Sequence, residues 1–584
     1  MRCLLAASGR CAPATRAHHG LLFARAIQIL APPEPVSLHK LSAPDCGIVE
    51  LRLERPEVKN AINWEAMRLL RGVVEKVEAD DTVKVVLVTS SVPGVFCAGA
   101  DLKALSIPTI AVIEGAALGG GLELALSCDL RICGENATLG LPETGLAIIP
   151  GLKRQSSSFT VLRRAGGTQR LPRIVGSSRA KEMIFTGRRC NAAEAVMMGL
   201  ANYCVPAGEA HEKALELARE ITQKGPLGIR MAKKAIDQGM QAADMPSALA
   251  VEGECYEQLL HTEDRLEGLA AFAERRKPVY SGNRDSRVNK EVCVVSVDEF
   301  SCTCPGIVEM RLERPEARNA IGREMLQGLR SAIEKVKADA TANVVLLASS
   351  VPKVFCAGAD LKERRLMSPC EVREFVNSLR STFLSFEALS IPTIAIVEGA
   401  AFGGGLELAL SCDLRICGIL SIDHIPSILS KSFVPSFQNS NTSMLVFSAE
   451  NATFSLPETG LAIIPGAGGT QRLPRIVGKS RAKELIFTGR RFDAVEAVTM
   501  GVVNYCVPAG EAYKKALELA QEINQKGPLA IRMAKKAINQ GMEVDLSVGL
   551  AVEEECYEQV LHTQDRLEGL AAFAEKRKPV YTGK

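Results

Sequence analysis

The chain has 584 residues, of which 47% are hydrophobic and 23% are charged, and its formal net charge at pH 7 is +3. This length is enough for several domains of about 150 residues each. The nearly balanced charge argues against a dedicated nucleic-acid-binding protein, and no uninterrupted apolar run reaches the roughly 18 residues that a membrane span needs.

The first 35 residues differ in composition from the rest of the chain. Arg2, Arg10 and Arg25 occur among serines and alanines, and no acidic residue precedes Glu34. An Arg-rich, acid-free start is typical of a mitochondrial or plastid transit peptide, although a disordered terminus can have the same composition. We therefore predict that residues 1–35 are a targeting segment and exclude them from the fold.

Long segments of the remaining sequence occur twice in the same order. The paired segments are 51–62 and 310–321, 95–103 and 354–362, 141–151 and 456–466, 165–176 and 467–478, and 261–280 and 562–581. A period of this length is far too long for a solenoid repeat. The sequence therefore predicts two copies of one domain, at 36–282 (copy 1) and 305–584 (copy 2), joined by a linker and lead-in at 283–304.

Within copy 1, apolar strands alternate with helical patterns, and a mostly helical part follows. The spacing predicts strands over 47–53, 83–89 and 107–113, and helices over 64–79, from about 122, and over 179–185, 192–198, 209–223 and 227–238. Such an order is typical of an α/β sheet domain with a helical C-terminal part.

The two copies differ in blocks. Copy 1 lacks, after Lys103, the segment 363–387 of copy 2, which predicts a helix that begins at Ser368-Pro369. Copy 1 carries an insert at 152–164, and copy 2 carries one at 419–449. These inserts are either surface loops or errors in the assembled sequence.

The most chemically informative stretch, 107–131, returns almost unchanged at 391–415. A buried strand there leads through three consecutive glycines into an apolar helix, and glycine lets a backbone come close to a ligand because it has no Cβ. The N-terminus of the helix favours a developing negative charge. One acid, Glu123 (Glu407 in copy 2), lies in the first turn.

A second acid, Glu143 (Glu458 in copy 2), follows in the motif LPETG. Both acids of each copy have apolar neighbours in sequence, and desolvation raises a carboxyl pKa. Two such acids can divide general-acid and general-base roles. The structural alternatives are a carboxylate stabilised by the helix dipole at Glu123 and a first-turn acid after a proline at Glu143.

Backbone amides form the third candidate feature. Small residues in the segment FCAGAD, at 96–101, could place the amide of Ala100 beside that of Gly120. Two preorganised N–H groups on one carbonyl oxygen stabilise an oxyanion. The structural alternative is a tight turn that merely needs small residues.

Other kinds of chemistry are poorly supported by the sequence. The chain has 7 His, too few in each core for a Ser-His-Asp or Cys-His arrangement. It has no Walker A motif, and its 18 cysteines are mostly single residues in apolar segments. Cys302 and Cys304 have no matching second pair, so we predict no metal site and buried free thiols instead.

The motifs AGAD, GGGLE, LPETGLAIIPG and AGGTQRLPR, present in fixed order in both copies, resemble those of the crotonase superfamily, in its enoyl-CoA hydratase/isomerase family. The resemblance covers nearly the whole chain after the leader. It implies two tandem β-β-α spiral domains, each with a helical C-terminal part. It also implies assembly as homo-oligomers built on trimers.

The resemblance further implies the site residues. It assigns Glu123 and Glu143, and Glu407 and Glu458, as the catalytic acids that hold the water added across a 2,3-double bond. The oxyanion amides would be those of Ala100 and Gly120, and of Ala359 and Gly404. The residues implied to bind substrate are Ala98, Gly99, Asp101, Leu102, Ala357, Gly358, Asp360 and Leu361.

The function implied is hydration of a trans-2-enoyl-CoA thioester in fatty-acid or branched-chain acyl-CoA catabolism in the mitochondrial matrix. No cofactor is expected beyond the coenzyme A of the substrate, and no nucleic acid or membrane partner is expected. Copy 2 is the better candidate for activity, because copy 1 lacks a segment that helps to wall the cleft, whereas loop-closure entropy makes an insert inexpensive.

Alternative functions remain open at this stage. Methylglutaconyl-CoA hydratase and enoyl-CoA isomerase are related enzymes. The family also includes RNA-binding relatives, and Lys233-Lys234 and Lys535-Lys536 could form small basic patches, although a solvated helix face is the simpler interpretation. A damaged tandem that serves only as an oligomer scaffold is the last alternative.

Overall fold

The structure is a computed structural model, and it describes residues 35–60, 64–97, 105–146, 167–280, 306–419 and 452–583. The predicted leader, both inserts apart from Ile419, the linker and the segment around Lys103 lie outside these residues, as do Cys302 and Cys304. Across the described ranges, no helix is both long enough and apolar enough to cross a membrane.

Copy 1 contains two sheets. Its strands are β1 (Val36–Lys40), β2 (Ile48–Leu53), β3 (Val85–Ser90), β4 (Val95–Cys97), β5 (Thr109–Ile113), β6 (Ala116–Leu118), β7 (Leu130–Gly134), β8 (Thr138–Gly140), β9 (Arg189–Asn191) and β10 (Tyr203–Val205). The larger sheet has the order β1-β2-β3-β5-β7-β10 and the smaller one β4-β6-β8-β9. Pairing is parallel except at β1–β2 and β8–β9.

The helices of copy 1 connect these strands and then continue alone. They are α1 (Trp64–Glu78), α2 (Gly120–Ser127), α3 (Gly167–Val175), α4 (Ser177–Thr186), α5 (Ala192–Met197), α6 (Ala210–Thr222), α7 (Pro226–Gly239), α8 (Met245–Glu257) and α9 (Glu263–Glu274). A single-turn 3-10 helix spans Pro142–Leu146.

Copy 2 repeats this arrangement. Its strands are β11 (Ile307–Leu312), β12 (Val344–Ser349), β13 (Val354–Cys356), β14 (Thr393–Val397), β15 (Ala400–Phe402), β16 (Leu414–Ile419), β17 (Thr453–Ser455), β18 (Phe492–Asp493) and β19 (Tyr505–Pro508). They form the sheets β11-β12-β14-β16-β19 and β13-β15-β17-β18.

The helices of copy 2 include two that have no described counterpart in copy 1. They are α10 (Arg323–Ala338), α11 (Leu361–Leu366), α12 (Pro369–Glu387), α13 (Gly404–Leu410), α14 (Gly469–Val477), α15 (Lys479–Thr488), α16 (Ala494–Thr499), α17 (Ala512–Asn524), α18 (Pro528–Gly541), α19 (Leu546–Leu561) and α20 (Gln564–Ala574). A 3-10 helix spans Glu458–Leu461.

Successive strands alternate between the two sheets of a copy. In copy 2, β12 and β13 are followed by α11 and α12, β14 and β15 by α13, and β16 and β17 by α14. Each pair of strands followed by helix is one turn of a spiral. Strands such as β14, with the sequence TIAIV, are buried along their whole length, because helices and the second sheet cover both faces.

The helical tails of the two copies pack differently. Helix α6 covers the sheet of copy 1, but α7 packs on α14 and α15, α8 on α12 and α14, and α9 on α11 and the 3-10 helix Glu458–Leu461 of copy 2. One apolar core therefore runs from copy 1 into copy 2. In contrast, α18 and α19 of copy 2 pack mainly against each other.

The structure confirms the predicted α/β fold class, and every predicted strand and helix of copy 1 is present with ends shifted by a few residues. The helix at Ser368-Pro369 is present as α12, and Ser368 and Glu371 form its capping box. The described cysteines are unpaired thiols, and most are buried, as predicted.

One interpretation is wrong. Lys233 does not lie on a solvated helix face, because it is buried and its ammonium donates to the Ile107 carbonyl and to Asp129, at 2.8 and 2.7 Å. The helical period places it on the face that meets the end of its own sheet. It is therefore not available to a nucleic acid.

Candidate active site

The glycine turn of copy 2 brings the start of α13 against the end of β13. Gly403 has a φ of 51°, a left-handed conformation that glycine adopts without strain. A Cβ built on Gly405 would lie 2.4 Å from the carbonyl oxygen of Cys356, so only glycine permits this approach. Glycine is therefore needed at these positions on steric grounds, in addition to any chemical role.

Two backbone amides meet at this point. Ile321 donates its amide to the Gly358 carbonyl and accepts from the Asp360 amide, at 2.7 and 3.0 Å. This bridge uses the carbonyl of Gly358 and the amide of Asp360, the residues on either side of Ala359. The amide of Ala359 therefore lies on the edge of the chain opposite Ile321. A Cβ built on Gly404 would lie 3.7 Å from the Ala359 nitrogen, so the two amides are neighbours.

The Glu407 side chain is buried and lines the same cleft as Ala359 and Gly404. Its Oε1 accepts hydrogen bonds from the backbone amides of Ala467 and Gly469, at 2.8 and 2.7 Å. Gly469 has no room for a side chain, because its Cβ would lie 3.0 Å from that same oxygen. The motif AGGT therefore fixes one oxygen of Glu407.

A third acid, Glu252, comes from helix α8 of copy 1. Its carboxylate accepts from the amides of Gly468 and Thr470, at 2.8 and 3.1 Å. Four consecutive amides, from Ala467 to Thr470, thus alternate between Glu407 and Glu252. The loop beside the site is held by carboxylates from both copies.

Glu458 opens the 3-10 helix of copy 2 and is also buried. It faces the glycine turn, because a Cβ built on Gly403 would lie 2.9 Å from its Oε1. Its Oε2 is buried and has no hydrogen-bond partner among the described residues. That oxygen is available to a substrate or a water molecule.

Burial raises the pKa values of both acids. Burial, and then the neighbouring carboxylate of Glu252, raise the pKa of Glu407 to about 7, although the two amide hydrogen bonds oppose this shift. Burial, and then the charge of Glu407, raise the pKa of Glu458 well above its ordinary value. At neutral pH the pair can therefore hold one proton on Glu458 while Glu407 exchanges its own.

These groups line one cleft. Its wall includes Ala357, Gly358, Ala359, Leu361, Gly403, Gly404, Glu407 and Glu458. Tyr256 of copy 1 and Arg364 of copy 2 also line the cleft, and the Arg364 guanidinium donates to the Tyr256 hydroxyl. The cleft of copy 2 is therefore completed by the tail of copy 1.

Most of the predicted site residues of copy 2 are brought together here. The Asp360 side chain is different, because it caps α11 by accepting from the amides of Lys362 and Glu363 and pairs with Arg314 at 2.9 Å. Its contacts are those of a residue that positions the turn. The roles given to the other residues remain predictions.

In copy 1 the site is described only in part. Glu123 is buried and accepts from the Gly167 amide at 2.7 Å. Glu143 faces the turn, because a Cβ on Gly119 would lie 3.2 Å from its Oε1, and burial raises the pKa of both acids. Gly120 begins α2. The predicted Ala98, Gly99, Ala100, Asp101 and Leu102 lie outside the described residues.

Sequence reasoning missed Glu252, Tyr256 and Arg364. It treated each copy as self-contained, so it assigned no tail residue to a site. A signal was available, since the segment ECYEQ that contains Tyr256 recurs with Tyr557, and both copies also keep an acid in the preceding turn, Glu252 and Glu553.

Comparison with known proteins gives a family match. A family model described as enoyl-CoA hydratase/isomerase matches residues 44–107, 103–283, 303–422 and 442–584. The breaks between these matches lie near Lys103, at the linker between the copies and around the insert of copy 2. The match thus covers most of the chain and occurs twice.

Individual relatives match about half of the chain. A protein of Arabidopsis thaliana called "probable enoyl-CoA hydratase 2, mitochondrial" is 59% identical over 289 residues, 50% of this chain and 86% of that protein. Methylglutaconyl-CoA hydratase of Mus musculus is 42% identical over 320 residues, 54% and 91% of the two chains. A crystal structure of an enoyl-CoA hydratase from Bacillus anthracis is 43% identical, with a TM-score of 0.43, and covers 50% of this chain and 99% of its own.

Proposed function

Because the chain belongs to the enoyl-CoA hydratase/isomerase family, we propose that it adds water across the 2,3-double bond of a trans-2-enoyl-CoA thioester. The observation that supports this most is the cleft of copy 2, where two buried glutamates face a pair of neighbouring backbone amides. A hydration needs both a proton acceptor and a proton donor, and this cleft provides one of each.

The backbone amides of Ala359 and Gly404 would bind the thioester carbonyl oxygen. Addition of a nucleophile at C3 moves the electrons of the double bond toward that oxygen, so negative charge develops on it. Donors that are already oriented stabilise this charge without reorganisation, and one such donor typically contributes about 10²–10³ in rate. Gly404 also begins α13, whose N-terminus favours negative charge.

The two acids would then move the protons. Glu407, whose pKa is raised to about 7, is the base that removes a proton from the water as the water oxygen bonds to C3. Burial and the nearby Glu407 carboxylate raise the pKa of Glu458 well above its ordinary value, which favours its protonated form. It is the acid that delivers a proton to C2, so the enolate collapses to the 3-hydroxyacyl thioester.

One residue of the cleft wall bears on the acyl group of the substrate. Arg364 is buried in the wall of the cleft and lies over the ring of Phe375, with 5.6 Å to its centroid. A guanidinium in this position would pair with a free carboxylate on the acyl chain. This favours methylglutaconyl-CoA as a second candidate substrate.

The remaining parts of the proposal concern location and requirements. A mitochondrial relative and the Arg-rich residues 1–35 support a mitochondrial location, and we place the enzyme in the matrix. No cofactor is required by the mechanism, because the coenzyme A is part of the substrate. The pathway would be fatty-acid or branched-chain acyl-CoA catabolism.

The test is steady-state hydration of crotonyl-CoA, longer straight-chain enoyl-CoAs and methylglutaconyl-CoA by the full chain. We expect turnover of at least one of them, and its loss in the double variant Glu143→Gln, Glu458→Gln. The Arg364→Gln variant should lose methylglutaconyl-CoA hydration selectively if the carboxylate pairs there. A folded protein that hydrates none of these thioesters would refute the proposal.

A further inference from the structure

The loop 467–470 of copy 2 lies between two buried carboxylates that belong to different copies. Glu407 of copy 2 accepts hydrogen bonds from the amides of the first and third loop residues, and Glu252 of copy 1 accepts from those of the second and fourth. The Thr470 hydroxyl also donates to Glu252, at 2.5 Å. One side of the loop therefore binds the candidate base, and the other side binds a residue of copy 1.

Glu252 lies in a helical tail whose counterpart has different surroundings. We call residues 226–280 the copy-1 tail and residues 528–583 the copy-2 tail. Glu252 is 0% exposed, whereas Glu553, which matches it in sequence, is exposed. The two acids therefore form a matched pair, of which Glu252 binds the loop of copy 2 and Glu553 faces solvent.

Burial of the Glu252 carboxylate is costly unless its oxygens are hydrogen-bonded, because the group loses its hydration in the interior. Three donors of the loop satisfy these oxygens. The Arg380 guanidinium is not one of them, since its Nε lies 3.7 Å from Oε1 of Glu252, beyond hydrogen-bond distance. The loop of copy 2 therefore supplies the hydrogen bonds of this carboxylate.

The four loop residues cannot move independently of one another. Gly468 has a φ of 106°, and the Arg472 guanidinium donates to the Ala467 carbonyl at 2.7 Å. Each peptide unit is planar, so turning one amide also turns the carbonyl attached to it and shifts the neighbouring unit. Release of the loop from Glu252 would therefore disturb the two amides that bind Oε1 of Glu407.

Charge also acts between the two carboxylates. Burial, and then the Glu252 carboxylate, raise the pKa of Glu407 to about 7, and the two amide hydrogen bonds oppose this shift. A pKa near neutrality suits a general base. The other charged groups around these acids are Arg364 of α11, Arg380 and Glu387 of α12, Glu458 of the 3-10 helix and Arg472 of α14.

We propose that Glu252 is a positioning residue for the reaction in the cleft of copy 2. Through the loop it fixes the orientation of the Glu407 carboxylate, and its own charge acts on that carboxylate from the opposite side of the loop. The described wall of the cleft includes Glu407 and Ala467 but not Glu252, so Glu252 acts through them and not on the substrate. This role rests on the proposed function, whereas the contact with the loop does not.

The kinetic test uses the full chain in a Glu143→Gln background, so that turnover comes from copy 2 alone. Glu252→Ala removes the acceptor of three donors and should lower kcat by about 10²-fold, as expected for a misplacement of about 1 Å. KM should change by less than about twofold, because the lost interaction is not with the substrate. Glu252→Asp keeps the charge and should recover part of kcat, and the control Glu553→Ala should behave as the background does.

The contribution of charge has a separate readout. Glu252→Gln keeps the size of the side chain and removes its charge, so the pKa of Glu407 should fall. Carbon-13 NMR of the full chain labelled at the glutamate carboxyls measures this pKa, with the Glu407 signal assigned by its absence in Glu407→Gln. Damage to the loop alone would raise this pKa, because Glu407 would lose its amide hydrogen bonds. The control Glu553→Gln should leave it in place.

Hydrogen exchange followed by mass spectrometry tests the loop without turnover. The peptide that contains residues 467–470 should exchange faster in Glu252→Ala and at the unaltered rate in Glu553→Ala. Unchanged exchange in Glu252→Ala, a Glu407 pKa that does not fall in Glu252→Gln, or a normal kcat in Glu252→Ala would overturn the proposal. If the unaltered chain hydrates no enoyl-CoA, the proposed function fails, and exchange and NMR still decide whether Glu252 holds the loop and acts on Glu407.

Discussion

The two clefts of the molecule contain the same pair of glutamates in different surroundings. In copy 2, Glu407 is fixed by two backbone amides and its pKa is raised further by Glu252 of the copy-1 tail. In copy 1, Glu123 accepts one described amide hydrogen bond, and no described residue takes the place of Glu252 beside it. Residues close in sequence position the two acids of each copy, whereas Glu252 on the distant helix α8 changes the pKa of Glu407.

The largest expected effect comes from removing the proposed acid of copy 2. Glu458→Gln should lower kcat on the preferred enoyl-CoA by about 10²–10⁴, the usual contribution of general acid–base catalysis. The matched variant Glu143→Gln should retain most of the rate, because copy 1 lacks the segment 363–387, which supplies Arg364 to the cleft wall of copy 2. If Glu143→Gln alone abolished hydration, copy 1 would be the active copy.

The next effect sharpens the comparison of the two tails. Lys483→Met removes the buried cation that joins Asp129 to Asp237 and leaves Asp129 paired with Lys233. Removal of one partner from a buried ionic group costs about 3–5 kcal/mol. Urea unfolding should show this loss. The matched Lys181→Met replaces an exposed lysine and should change the free energy of unfolding by less than about 0.5 kcal/mol in dilute solution. If Lys483→Met and Lys181→Met lowered the free energy of unfolding equally, the network around Lys483 would not stabilise the fold.

The oxyanion amides can be tested through the glycine beside them. Gly358 has a φ of 92°, and a Cβ there would lie 2.7 Å from the Phe402 carbonyl oxygen. Gly358→Ala should therefore displace the Ala359 amide and lower kcat by about 10²–10³. The control Gly478→Ala also has a positive φ but meets open space, so it should cost stability while kcat is kept. A normal kcat for Gly358→Ala would remove this amide from the mechanism.

The smallest expected effect is a shift in the pH profile. The base Glu407 must lose its proton to act, so kcat/KM should rise with pH through about 7, the pKa of Glu407. In a Glu143→Gln background, Glu252→Gln removes a nearby negative charge and should move this acidic limb to lower pH, by on the order of one unit. Glu553→Gln, in the exposed copy-2 tail, should leave the limb in place. An upward shift with Glu252→Gln would contradict the role given to that carboxylate.

Much of the fold and of the site follows from the sequence. The apolar runs at β5 and β14, the glycines before α2 and α13, and the acids Glu407 and Glu458 are local features, because each depends on residues close in the chain. The capping box at Ser368 and Glu371 is another. Repetition of these motifs also predicts that two similar domains are present.

Which residues meet across the copies was decided only by the tertiary structure. The sequence of α7 is nearly that of α18, yet α7 has seven buried residues and α18 has none. Burial depends on what surface is within reach. Helices α7, α8 and α9 pack on copy 2, whereas α18 and α19 pack mainly against each other. For that reason Glu252 appears as an ordinary helix residue in the sequence and as a buried carboxylate bound to the loop of copy 2 in the fold.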